Sequence, residues 1–216
     1  KGKYKYNNEN LWNNENLEIT RGLLLKAIEL DDNLLKAKIL LGRTYIVEQN
    51  ATTETLTEFR NKARNIFEQV LNQAQKLDNK LMIAYALKYI GNTYTDADTE
   101  LDYYMRSLEI AEQLGDKELE SKAVYNIGNI YAGKQNFEKA LDYLTRSVKL
   151  DEELDDKQGI AWALSNIGNL YHHGKNDNDM ALDYWLKSLK ILEEIGDKSH
   201  IVGGRLMNIG AIYDTM

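Results

Sequence analysis

The chain has 216 residues and contains neither cysteine nor proline. Without cysteine there are no disulfides and no thiolate to serve as nucleophile or soft metal ligand. No apolar run approaches the roughly 18 residues that a membrane-spanning helix requires. An excess of positive charge is missing as well: 27 Lys and Arg stand against 34 Asp and Glu, for a net charge of −7. A phosphate backbone would find no basic patch here, so nucleic acid is not an expected partner. Also absent are a Ser/His/Asp set, a glycine-rich phosphate loop and an HExxH helix. No enzymatic activity and no cofactor are expected. Nothing reads as a signal peptide, and a cytoplasmic location is the expectation. The first residue is Lys1 rather than Met, so the sequence is expected to be a piece of a longer protein.

What is present is repetition. Within 121–156, Ala123, Ile127, Ile130 and Tyr131 share one face at helical spacing. Gly133 suits a helix stop, and Asn136 suits the cap of a second helix. Phe137, Ala140, Leu141, Leu144 and Val148 then form a second apolar face. Gly128 sits inside the first helix, where glycine costs about 1 kcal/mol relative to alanine. It recurs as Gly42, Gly91, Gly168 and Gly210, which points to close approach of a neighbouring helix. Each of the five glycines has a tyrosine three places on: Tyr45, Tyr94, Tyr131, Tyr171 and Tyr213. The glycine spacings are 49, 37, 40 and 42. Joints between units read Gly115-Asp116, Asp155-Asp156 and Gly196-Asp197.

This pattern resembles the tetratricopeptide repeat, in which an apolar residue precedes Gly, an aromatic follows three later, and Ala comes about nine further on. Ile127, Gly128, Tyr131 and Ala140 fit; Ile167, Gly168, Tyr171 and Ala181 fit with one inserted residue. The family's late proline is absent. The period near 40 exceeds the family's usual length of about 34, and the long form is similar to the repeats of kinesin light chains and Pins-type proteins. The opening of the chain, with Leu11-Trp12-Asn13 and 26–31, also resembles repeat regions attached to bacterial class III nucleotidyl cyclases.

The resemblance implies an all-α, right-handed superhelical solenoid of antiparallel helix pairs, since one repeat cannot bury its apolar face alone. The expected units are a partial repeat over 1–33, repeats over 34–79, 80–116, 117–156 and 157–197, and a lone first helix over 198–216. The expected helices are 17–31, 34–48, 56–77, 80–95, 98–114, 117–132, 137–154, 157–173, 179–195 and 199–213. The polar 50–55 reads as a loop insertion. The lone last helix would leave Ile201, Leu206, Ile209 and Ile212 without their usual cover, so homo-association or fraying is expected there.

In the resembling family, first helices line the concave groove that receives a protein or peptide partner. Carrying the register from Gly128, the position after the glycine gives Asn92, Asn129 and Asn169. Side-chain amides both donate and accept, so three in consecutive repeats would form a ladder along an extended main chain. Helices pack roughly 8–10 Å apart and an extended chain advances about 3.3 Å per residue, so one rung would meet roughly every third peptide unit. The alternative is that these asparagines cap or bridge helices, or that Asn126 and Asn166, three residues earlier, do so. Lys88 with Asn92 and Asn126 matches part of a clamp for an acidic C-terminus, but the next repeat offers Trp162 and Asn166 where Lys and Arg are needed. Trp162 and Tyr125 would give flat apolar contact in the groove or pack on the adjacent repeat. His172, four places after Gly168, completes the candidate groove residues.

Two patterns are read as scaffold. His172 and His173 are adjacent and diverge on a helix, so a metal, which needs three or four converging ligands, is not expected. Asp177-Asn178-Asp179 lacks the glycine and terminal Glu of a calcium loop and reads as a turn and helix cap. The leading expectation is a protein-interaction scaffold. The alternatives are a regulatory segment of a larger bacterial signalling protein and a self-association module.

Overall fold

Helix starts and stops dictate the architecture. In a computed structural model, which describes residues 14–46, 53–197 and 209–210, all described secondary structure is helical, the fold class expected. The helices are α1 Asn14–Leu30, α2 Leu35–Ile46, α3 Thr53–Lys76, α4 Lys80–Gly91 and α5 Ala97–Leu114. They continue with α6 Lys117–Gly133, α7 Phe137–Glu153, α8 Lys157–Leu170, a π-helical turn Tyr171–Lys175, and α9 Asn178–Glu194. Neighbouring helices pack as antiparallel pairs from α1 to α4 in the first unit and from α6 to α9 in the second. The short turns between them leave no other arrangement.

The joints at 115–116 and 155–156 use the same two devices, and the joint at 196–197 shares the first. One residue adopts a left-handed backbone: Gly115 at φ 66°, Asp155 at 54° and Gly196 at 69°. The next residue accepts a backbone N–H of the following helix through its side chain: Asp116 from Leu119 at 3.0 Å, and Asp156 from Gly159 at 3.0 Å. Inside the hairpins Asn136 caps α7 through Lys139 N–H, and Asp177 caps α9 through Met180 N–H. Each such cap satisfies one of the orphan donors of a helix start.

The recurring glycines are sites of contact. A Cβ at Gly128 would lie 2.8 Å from Leu144 Cγ, and one at Gly168 would lie 2.5 Å from Trp185 Cδ1. Gly42 faces Phe67 in the same way. The tyrosine three residues on lies over an aromatic of the second helix: Tyr94 with Tyr103 at 5.5 Å, Tyr131 with Tyr143 at 5.7 Å, and Tyr171 with Tyr184 at 5.5 Å. Such offset stacks add about 0.5–1.5 kcal/mol beyond area burial.

The chain divides into two compact units at Ile110 and Ala111. In the first, Ile39 of α2, Phe67 and Val70 of α3, and Ile90 of α4 form the core. Two arginines tie helix ends there. Arg21 donates to Thr44 Oγ1 at 3.2 Å and to Thr44 O at 2.7 Å. Arg64 donates to Thr93 Oγ1 at 2.9 Å and Thr93 O at 2.8 Å, and lies 3.9 Å over the Tyr94 ring. In the second unit, Ala140 and Leu144 of α7 pack with Ile167 and Leu170 of α8. Asp151 is buried there and accepts from Ser121 Oγ at 2.5 Å and Ser147 Oγ at 3.3 Å. Burial, partly offset by the Ser121 hydrogen bond, raises its carboxyl above the ordinary aspartate value of 3.8.

Several expectations need correction. Gly133 does not stop α6; the helix runs through it, Lys134 is the C-cap and Gln135 takes the left-handed turn at φ 57°. Thr53 to Thr55 belong to α3 rather than to a loop, while the rest of that insertion lies outside the described residues. Helix α4 ends at Gly91, four residues early, because Thr93 closes its end by donating to Ile90 O at 2.7 Å. His172 and His173 do not diverge: they lie in the π turn with ring centroids 4.6 Å apart. Ile209 is not left uncovered, being 8% exposed and packed with Ala181, Leu182, Trp185 and Leu189. Ile201, Leu206 and Ile212 lie outside the described residues.

Two outcomes follow for stability. Gly115→Ala loses about 1 kcal/mol, because a side chain is disfavoured in the left-handed region, while Asp155→Gly gains up to a similar amount; chemical denaturation reads both. For Asp151, the folded carboxyl titrates above its unfolded value, so the folded state holds the proton longer and stability falls as pH rises from 3.8 through the raised value. Asp151→Asn removes that slope. In melts across pH, the wild type should lose ground to the variant towards neutrality, and a constant difference would refute this.

Candidate functional site

The second unit brings three of the asparagines onto one cavity. Helices α6 and α8 carry them at matching register, which follows from the 40-residue spacing of Gly128 and Gly168. Asn166 Nδ2 donates to Asn129 Oδ1 at 2.8 Å and to Tyr125 Oη at 3.0 Å. Asn169 Oδ1 accepts from Trp185 Nε1 at 3.2 Å, and that indole also donates to Ser165 O at 3.2 Å. The cavity has a volume of about 500 Å³. Asn129, Asn166 and Asn169 form its polar side, Ala132, Leu170 and Phe137 its apolar side, and Gln135, His173 and Gly174 complete the lining.

The polar capacity of this site can be counted. Asn129 uses its amide oxygen and Asn166 its amide nitrogen. Asn129 Nδ2 and Asn166 Oδ1 have no hydrogen bond to another described residue. The linked pair thus keeps one donor and one acceptor unused. Among the described residues, no Lys, Arg, Asp or Glu lines the cavity.

The other candidate residues are placed differently. Tyr125 stands behind Asn166 as its hydrogen-bond partner. Asn126 donates back to Lys122 O at 2.9 Å within α6. Trp162, a turn before Asn166 on α8, is 36% exposed. His172 bonds through Nδ1 to Asn178 Oδ1 at 2.9 Å and packs 5.5 Å from Trp185, whereas its neighbour His173 reaches the cavity. In the first unit, Asn92 is the C-cap of α4 and its Oδ1 accepts from Tyr104 Oη at 2.5 Å. Lys88 is 6% exposed, with Nζ 4.1 Å over the Tyr89 ring. Sequence reasoning did not find Phe137, Gln135, His173 or Gly174 as lining residues. The available signal was the inserted residue between Gly168 and Ala181.

Among the described residues, no three His, Asp or Glu side chains gather where a metal ion would sit. No helix among them is long and apolar enough to cross a membrane.

The tetratricopeptide repeat family model matches residues 101–153 and 119–194. Among curated proteins, no sequence matches. Similar folds occur in solved structures. BtubC (BKLC) from P. vanneervenii is 19% identical, with TM-score 0.70, over 93% of this chain and 81% of that one. A Rap protein complexed with Competence and Sporulation Factor is 17% identical, with TM-score 0.62, over 97% and 61%. A STAND protein with a tetratricopeptide repeat sensor from Pyrococcus horikoshii is 16% identical, with TM-score 0.62, over 90% and 32%. These identities speak to the fold alone. Residues 101–194 thus match the tetratricopeptide repeat family, and the helix hairpins with a close-packed glycine continue the same pattern at Gly42.

Proposed function

We propose that this chain is a non-enzymatic, cytoplasmic protein-interaction scaffold that holds an extended segment of a partner protein against α6 and α8. The observation that carries the reading is the unused pair, Asn129 Nδ2 and Asn166 Oδ1, on two linked residues that both line the cavity. One residue of an extended segment would satisfy both, its C=O accepting from Asn129 Nδ2 and its own N–H donating to Asn166 Oδ1. The two asparagines are already linked to each other, and Tyr125 orients Asn166, so little side-chain entropy is lost on binding. Asn169 supports the wall through Trp185, and Trp162 offers an exposed ring further along α8. Asn92 and Lys88 lie in the first unit and would serve there in the weaker role that their existing contacts allow. Nucleic acid is disfavoured as a partner by the net charge of −7.

A second reading has one comparison in its favour. The Pyrococcus horikoshii protein carries its tetratricopeptide repeats as a sensor, and this chain spans 32% of it. A regulatory role inside a longer signalling protein would use the same surface on a segment of that protein itself.

Joint replacement Asn129→Ala and Asn166→Ala tests the reading. Two lost hydrogen bonds at about 0.5–1.5 kcal/mol each correspond to roughly five- to hundredfold weaker binding. Affinity pull-down should recover correspondingly less partner, with the circular-dichroism melt kept near that of the wild type. Unchanged recovery by a folded variant would remove the amide pair from the binding surface.

A further inference from the structure

We propose that the cavity beside the amide pair is a selectivity pocket for one uncharged, apolar side chain of the bound segment, and that the π turn builds its wall. This rests on the peptide-binding reading above and adds the chemical class of the ligand.

The wall originates in one inserted residue. In the α6–α7 hairpin the turn closes with Asn136 N–H bonded to Tyr131 O at 2.9 Å. In the α8–α9 hairpin the corresponding bond runs from Asp177 N–H to Tyr171 O at 3.0 Å, one residue longer. The added residue is absorbed as the π turn Tyr171–Lys175, followed by Asn176 in the left-handed region at φ 53°. Single π turns of this kind recur at functional sites. Here the turn brings His173 and Gly174 to the cavity.

The same turn clamps Phe137. Tyr171 meets the Phe137 ring edge-on at 5.4 Å, and Lys175 Nζ lies 4.1 Å over it. Gly174 approaches so closely that a Cβ there would sit 3.0 Å from Phe137 Cδ2. Three residues of one turn therefore hold one apolar wall, and the pocket exists before any ligand enters.

Chemistry selects the occupant. Ala132, Leu170 and Phe137 offer apolar surface, and the rest of the described lining is amide, imidazole and glycine. A basic side chain would meet no counter-charge among the described lining residues, and an acidic one would give up water for a largely apolar and amide wall, which is unfavourable. The net charge of −7 further opposes an acidic segment. A bulky aliphatic or aromatic side chain loses nothing and buries its area. The volume of about 500 Å³ admits that side chain with the main chain beside it.

Selection of a phage-displayed library of random peptides on the folded chain tests this, followed by anisotropy titration of the synthesised winners. The expected winners share one uncharged bulky residue, and its replacement by Ala weakens binding about tenfold to a hundredfold. Ala132→Trp, which fills the pocket, should weaken them similarly, and the two losses should not add. Ala132→Leu serves as a milder version should the larger residue disturb folding. Winners rich in Asp and Glu, or winners indifferent to both Ala132 variants, overturn the proposal. If those winners still lose affinity on Asn129→Ala with Asn166→Ala, the amide pair stands and only the pocket falls. Recovery of no peptide removes both.

Discussion

The buried contact between a glycine of one helix and a bulky side chain of the next governs the rest of the structure. At Gly128 there is no room for a Cβ beside Leu144, and at Gly168 none beside Trp185. Removing that one atom lets two helix axes approach, and interior packing is too dense to leave the spacing loose. The tyrosine three residues on then has a ring to stack upon, as Tyr131 has Tyr143 and Tyr171 has Tyr184. The asparagine one residue on is rotated to the edge of the contact, where it is half-buried and still reaches the cavity. Scaffold and binding surface are set by one register.

That register also explains why the amides serve two ends. An asparagine beside a helix contact is close enough to bond across it, as Asn166 does to Asn129 and Asn169 accepts from Trp185. Bonding across uses half of each amide group and leaves the other half unused in Asn129 and Asn166, both of which line the cavity. Asn92 shows the opposite balance, with its oxygen committed to a buried tyrosine at the end of α4. The same residue type at the same repeat position thus differs in what it has left to offer.

Much of this was readable from the sequence, for local reasons. The period of glycine and tyrosine reported the helix pairs, because both residues act through contacts fixed by one repeat length. Asn136 and Asp177 were readable as caps, because a cap depends on three neighbouring residues. What escaped was non-local or depended on small geometric changes. The arginine ties from Arg21 and Arg64 join residues 23 and 29 apart, with no periodic signal. The edge-on contact of His172 with His173 follows from a π turn, whereas α-helical geometry would separate them. The wall at Phe137 needed the inserted residue, visible as a mismatch of one in alignment but silent about where the extra backbone would go.

The arginine ties carry a consequence for how the chain can be shortened. Thr93 ends α4 with its carbonyl held by a guanidinium that belongs to α3. A fragment trimmed to start beyond Arg64 would strip that donor and uncover the Tyr94 ring on which the same group rests. Boundaries drawn by counting repeat units would cut through this brace. A cut placed ahead of α3 keeps brace and helix together, and so the natural separable piece is out of phase with the helix pair.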